Sequence, residues 1–182
     1  HKSPADAGRQ SIMQFTFLEE KTMRQTFIIS VNLAIILILF IVPIAALESG
    51  ETLIVTSTAN SGTGSFREAL LNASPGDSIT FDASVFPPDN PHTIYLTSPL
   101  PSIDQGNLII DASNAGVVID GSGITTGANG LSILSSNNVI RGLHFKDFPN
   151  AGIALFAGQN IIGGDRNTGA GPSGRGNMIT GT

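Results

Sequence analysis

The chain has 182 residues, of which 41% are hydrophobic and 13% charged, with 21 glycines, 10 prolines and no cysteine. That length and apolar content suffice for one domain with a core and exclude a disordered polymer; the absence of cysteine excludes a disulfide framework and thiolate metal sites. A net charge of −5, with nine Lys and Arg scattered along the chain, argues against nucleic acid as a partner, because phosphate binding needs clustered basic groups.

Residues 1–22 mix charges without a period and are expected to be disordered, either a cytoplasmic tail or residues upstream of the true start. From Gln25 to Leu47 there is no charged side chain, and the segment is apolar enough to enter a bilayer. Lys21 and Arg24 precede it and Glu48 and Glu51 follow, so the positive-inside rule leaves the N-terminus inside and exports the remainder. Residues 23–47 then read as a signal peptide or an uncleaved membrane anchor. Cleavage is favoured, since a start at Met23 supplies a basic n-region, and Pro43 followed by Ala45 and Ala46 supplies small residues for the cut. The expected location is secreted or cell-surface, with membrane contact only through 25–47.

Residues 52–82 read as strand, helix, strand. "TLIVT" (52–56) and "DSITFD" (77–82) alternate with period two. Between them Ser65 and Glu68 form a capping box, and Phe66, Ala69, Leu70 and Ala73 make one apolar stripe that Pro75-Gly76 ends. Two turns of helix are unstable alone, so this helix is expected to pack as a lid. Arg67 and Glu68 are read as solvated charges, Glu68 with a capping role.

Residues 83–182 carry a repeat. "NGLSILSSNNVIRG" (129–142) aligns with "AGIALFAGQNIIGG" (151–164) at an offset of 22, pairing Leu131 with Ile153, Ile133 with Leu155 and Asn138 with Asn160. Run backwards, that offset predicts columns through Ile161, Val139, Val117 and Tyr95, and through Ile162, Ile140, Val118 and Leu96. Short strands and glycine turns at this period suit one coil of a parallel β-solenoid. The helix then explains itself, because the first coil of a solenoid needs a cover for its core and its backbone edge. The fold expected is all-β, a right-handed parallel β-helix with a short N-terminal capping helix, preceded by the hydrophobic export helix. His1 in place of Met, and Thr182 in mid-pattern, suggest a fragment truncated at the C-terminus.

The stretch "SGTGSFREALLNASPGDSITFD" resembles the N-terminal segment of exported bacterial β-helix proteins of the pectate-lyase-like superfamily. Ser65 to Ala69 occupy a Ser-Leu-Arg-Glu-Ala type motif, with Phe66 for Leu, and Gly76 to Phe81 occupy a Gly-Asp-Thr-Ile-Thr-Phe type strand. "NNVIRGLHF" and "NAGIAL" resemble the coil repeats. The resemblance implies the fold more than the activity, because the superfamily holds lyases, glycosidases and epimerases beside adhesins.

Arg141, His144 and Lys146 alternate with Ile140, Leu143 and Phe145 and are expected to face solvent, followed by Asp147, as a row able to contact a sugar chain. Asp111 and Asp120 read as turn residues. Asp165 and Arg166 open a glycine-rich loop ending at Gly176, the place expected for partner contacts. At the 22-residue offset no acid stacks on an acid, and no cofactor is evident; Ca²⁺ enters only with the enzyme reading. The function expected is a non-catalytic adhesion or carbohydrate-binding module acting on a polysaccharide or cell-surface glycan. The alternative is a polysaccharide lyase or epimerase whose active site lies in further coils.

Overall fold

The computed structural model describes Arg9, Met13, and residues 17–28, 50–125 and 127–181. The chain divides into two units, His1–Leu47 and Glu48–Thr182. In the first, residues 17–28 form a helix (α1), supported by an ion pair one turn apart between Arg24 Nη2 and Glu20 Oε1 at 2.9 Å. This helix crosses the boundary at residue 22 expected from composition. Beyond Ile28 the apolar segment expected to direct export lies outside the described residues, and among those described no helix is long and apolar enough to cross a membrane.

The second unit is a parallel β-solenoid. One sheet runs β1 (Thr52–Val55), β2 (Ser78–Phe81), β4 (Ile109–Asp111), β7 (Val139–Arg141) and β10 (Ile161–Ile162). A second runs β3 (His92–Tyr95), β5 (Val117–Asp120), β8 (Leu143–Lys146) and β11 (Met178–Thr180), and a third pairs β6 (Leu131–Ile133) with β9 (Ile153–Leu155). Every pairing among the described strands is parallel. Alternation on each strand sends one set of side chains inward. The core is therefore a set of columns: Ile79, Ile110 and Ile140 from the first sheet, Ile94, Ile119 and Phe145 from the second, Ile103, Leu131 and Ile133 on the third side, all buried. Each such side chain contributes about 1.5–3 kcal/mol by leaving water.

The 22-residue period is local. It holds from Val139 to Ile161 and from Leu131 to Ile153. Earlier steps are longer: Thr52 pairs with Ser78, Ser78 with Ile109, and Ile109 with Val139. The columns expected through Val117 and Tyr95 are thus incorrect, for these residues lie in the second sheet, where Val117 pairs with His92 and Leu143, and Tyr95 with Asp120. Ladders constrain the strands, whereas the turns joining them are free to differ in length. The amide column is as expected: Asn160 Oδ1 accepts from Asn138 N at 2.8 Å and from Asn138 Nδ2 at 3.0 Å, and Asn138 Oδ1 accepts from Leu108 N at 3.0 Å.

The first coil is closed by α2 (Phe66–Asn72). Ser65 Oγ accepts from Glu68 N at 3.2 Å, and Glu68 Oε2 accepts from Gly64 N at 2.6 Å. Gly64 sits at φ +74°, and a Cβ there would meet Thr56 Oγ1 at 2.3 Å, so only glycine suits this entry to the helix. Phe66, Ala69 and Leu70 are buried, and Phe66 packs on Phe81 at 5.4 Å between ring centroids, with Phe86 beyond at 5.5 Å. Arg67 is not a solvated charge. Its guanidinium donates to Asn60 O, Asn60 Oδ1, Ser98 O and Pro99 O, fastening the lid to the turn after β3.

Candidate functional site

The outer face of the second sheet carries the most organised polar constellation among the described residues. The register stacks Tyr95 on Asp120, Asp120 on Lys146 and Lys146 on Thr180, one residue per coil. Beside this ladder runs another of Thr93, Val118, His144 and Met178. Both face outward because Ile94, Ile119, Leu143 and Phe145 take the inward positions.

Lys146 Nζ donates to Asp120 Oδ2 at 3.2 Å and to Asp147 Oδ2 at 2.8 Å. Asp120 is itself buried, with Oδ1 accepting from Ser122 N at 2.8 Å in the Asx turn expected from sequence. That turn needs Gly121, where a Cβ would strike the Phe148 ring at 2.5 Å. Asp147 takes the left-handed conformation, φ 53°, which Asp tolerates better than most residues. The chain turns sharply there, bringing the Asp147 carboxylate back to Lys146. On the neighbouring ladder His144 Nε2 lies 2.8 Å from Thr180 Oγ1.

The electrostatics follow from these contacts. Burial works to raise the Asp120 carboxyl, but the Ser122 hydrogen bonds and Lys146 outweigh it, leaving it below its ordinary value. The Lys146 ammonium is pushed up by its hydrogen bonds to Asp147 and Asp120 and by their charges. His144 is pushed down by burial and by the charge of Lys146, against an opposing pull from Asp147. A carboxylate held below its ordinary value and bonded to lysine is a poor proton acceptor. The arrangement suits the holding of hydroxyl groups better than the movement of protons.

Of the six site residues expected from sequence, the fold gathers His144, Lys146 and Asp147 and separates the others. Arg141 stands on the outer face of the first sheet, in register with Asp111. The two form no ion pair, because Asp111 Oδ1 turns to Ser113 N at 2.9 Å, and Arg141 Nε is buried without a partner. Asp165 and Arg166 serve the loop that contains them. The Asp165 carboxylate accepts from Asn167 N at 2.9 Å and from Thr168 Oγ1 at 3.3 Å. The carbon stem of Arg166 packs over Gly176. The loop does not bulge outward but folds back along the solenoid, with Gly171 N bonding Ser113 O at 2.8 Å and Ala170 N bonding Asn114 Oδ1 at 3.1 Å.

Sequence reasoning missed Tyr95, Asp120 and Thr180 as members of the site. The signal for Asp120 was present, since an acid that closes a strand and opens an Asx turn lies at the strand's end, but no fixed offset ties it to Lys146. Among the described residues no three acidic or histidine side chains converge as metal ligands. Asp120 and Asp147 instead flank an ammonium group. Comparison with family models, with curated proteins and with solved structures finds no match.

Proposed function

We propose that the chain is an exported, cell-surface β-solenoid module that binds carbohydrate without transforming it, through the outer face of β3, β5, β8 and β11. The observation that carries this reading is the Tyr95–Asp120–Lys146–Thr180 ladder. It sets Tyr95, 65% exposed, in line with the half-exposed Lys146 and with Thr180, while the buried Asp120 between them holds the Lys146 ammonium in place. Sugars are recognised by that pairing of an apolar ring face with convergent polar groups. The motif residues Ser65–Ala69 and Gly76–Phe81 support placing the chain with the pectate-lyase-like β-helix proteins, which include surface proteins of this kind. Against a lyase or epimerase site in these coils stands the pairing of both strip carboxylates with Lys146, which leaves neither as a free base.

The test is retention of the full chain on immobilised cellulose, chitin, mannan and pectin. Retention on at least one is expected, with affinity reduced about tenfold in Tyr95→Ala, the effect of removing one aromatic stacking contact. New reducing ends or unsaturated products would replace the binding reading with an enzymatic one. Failure to bind all four polymers would refute it.

A further inference from the structure

Resting on the carbohydrate reading, we infer that the strip selects saccharides that carry no carboxylate. The charges that face a ligand on this strip sum to a negative value. Lys146 is the only lysine after Lys21, and two of its three N–H groups are committed to Asp120 and Asp147. One ammonium between two carboxylates leaves the cluster with a net negative charge. The Asp147 side chain is 40% exposed, so the carboxylate that a ligand meets first is not screened by burial.

Among the described residues of the second unit no other cation is placed to reverse that sign. Arg67 reaches the turn after β3 but spends its N–H groups on Asn60, Ser98 and Pro99. Arg141 lies on the outer face of the first sheet. Arg166 and Arg175 belong to the loop folded over Ser113–Ala115. His144 is held below its ordinary value by burial and by the charge of Lys146, which disfavours a second cation beside Lys146. A uronate approaching this face meets repulsion and finds no free guanidinium for bidentate pairing.

An uncharged saccharide finds complementary groups. Its vicinal hydroxyls can accept from the remaining Lys146 N–H while donating to the exposed Asp147 oxygens, and Thr180 and His144 extend the same edge. Tyr95 offers a ring face at the other end. Three strand steps of about 4.8 Å separate Tyr95 from Thr180, so the strip is about 14 Å long and takes a short oligosaccharide laid across the strands.

The chain provides its own reporter, because Tyr95 is its single tyrosine and it has no tryptophan. The experiment is a titration of tyrosine emission in the full chain at low ionic strength, where charge effects are strongest. The probes are hexamers of glucose, mannose, N-acetylglucosamine and galacturonic acid. At least one uncharged hexamer is expected to change the emission saturably, with galacturonate at least about tenfold weaker. Asp147→Asn, which keeps a residue tolerant of positive φ, is expected to narrow that gap several-fold while the melting temperature confirms folding. If galacturonate binds as tightly as the best uncharged hexamer, the ligand class assigned here is wrong and the carbohydrate reading survives. If none of the four hexamers changes the emission, the carbohydrate reading falls and this inference falls with it.

Discussion

The first and the last of the described coils treat the same columns differently. At the β1 end α2 presses Phe66 and Leu70 over the first coil, and Val55 and Ile79 are buried. At the coil formed by β9, β10 and β11, the side chains that continue the inward columns lie open. Ile162 is 36% exposed where Ile140 beside it is buried, and Ile179 is 47% exposed where Phe145 is buried. Ile162 and Ile140 are the same residue type in register with each other, so their difference comes from the neighbour alone. A solenoid core is made between coils, and a side chain counts as core only when another coil or a lid lies over it.

The largest effect is expected from a pair of substitutions in one column. Ile140→Ala, fully covered, is expected to cost about 2–5 kcal/mol, while Ile162→Ala, in register with it, is expected to cost less than about 1 kcal/mol because it empties no enclosed space. Denaturant unfolding of the full chain measures both. Equal costs would mean that the column position, not the covering coil, decides.

A smaller effect is expected from the fastening of the lid. Arg67→Met keeps the carbon stem and the helix but removes the hydrogen bonds to Asn60, Ser98 and Pro99. It leaves the carbonyls of Asn60, Ser98 and Pro99 to water, while Asn60 Oδ1 keeps the Thr97 N–H, at an expected cost of about 2 kcal/mol. A melting temperature unchanged by this variant would return Arg67 to the role of a solvated helix charge.

Which parts of this architecture were legible in the sequence depends on how local their physics is. The cap was readable because Ser65 and Glu68 act within one helical turn and Phe66, Ala69 and Leu70 share a face three and four residues apart. The Asn138–Asn160 step was readable because those two coils have equal length. The site was half readable. His144, Lys146 and Asp147 follow one another on β8, and alternation alone turns the first two outward. Tyr95, Asp120 and Thr180 join them through turns of unequal length: Tyr95 precedes Asp120 by 25 residues and Asp120 precedes Lys146 by 26, whereas the folded-back loop separates Lys146 from Thr180 by 34. No single period superposes those steps, so the ladder exists only once the turns are known. Arg141 was misplaced for the opposite reason. It is two residues from Leu143 in sequence, but Gly142, at φ +73°, turns the chain between them from one sheet to the next.

The least change is expected from titration, and it bears on whether the strip is as tightly organised as the capped end. His144 is lowered in the folded chain by burial and by Lys146, so the folded state resists its protonation. The stability this represents is complete above the ordinary histidine value and falls as pH drops from about 6.5 towards the lowered folded value, while the unfolded chain takes up the proton first. Asp120, also lowered, adds a second loss at more acid pH, below the ordinary Asp value, as Lys146 loses a charged partner. Because His144 is only partly buried, its own step is expected to be under about 1 kcal/mol after solvent screening. Melting temperatures taken between about pH 7 and 5 should therefore decline gently in the wild type and remain flatter in His144→Gln, which keeps a polar group near Thr180 without titrating. An identical decline in both would place the acid sensitivity elsewhere and would mean that His144 adds no pH-dependent term to the fold.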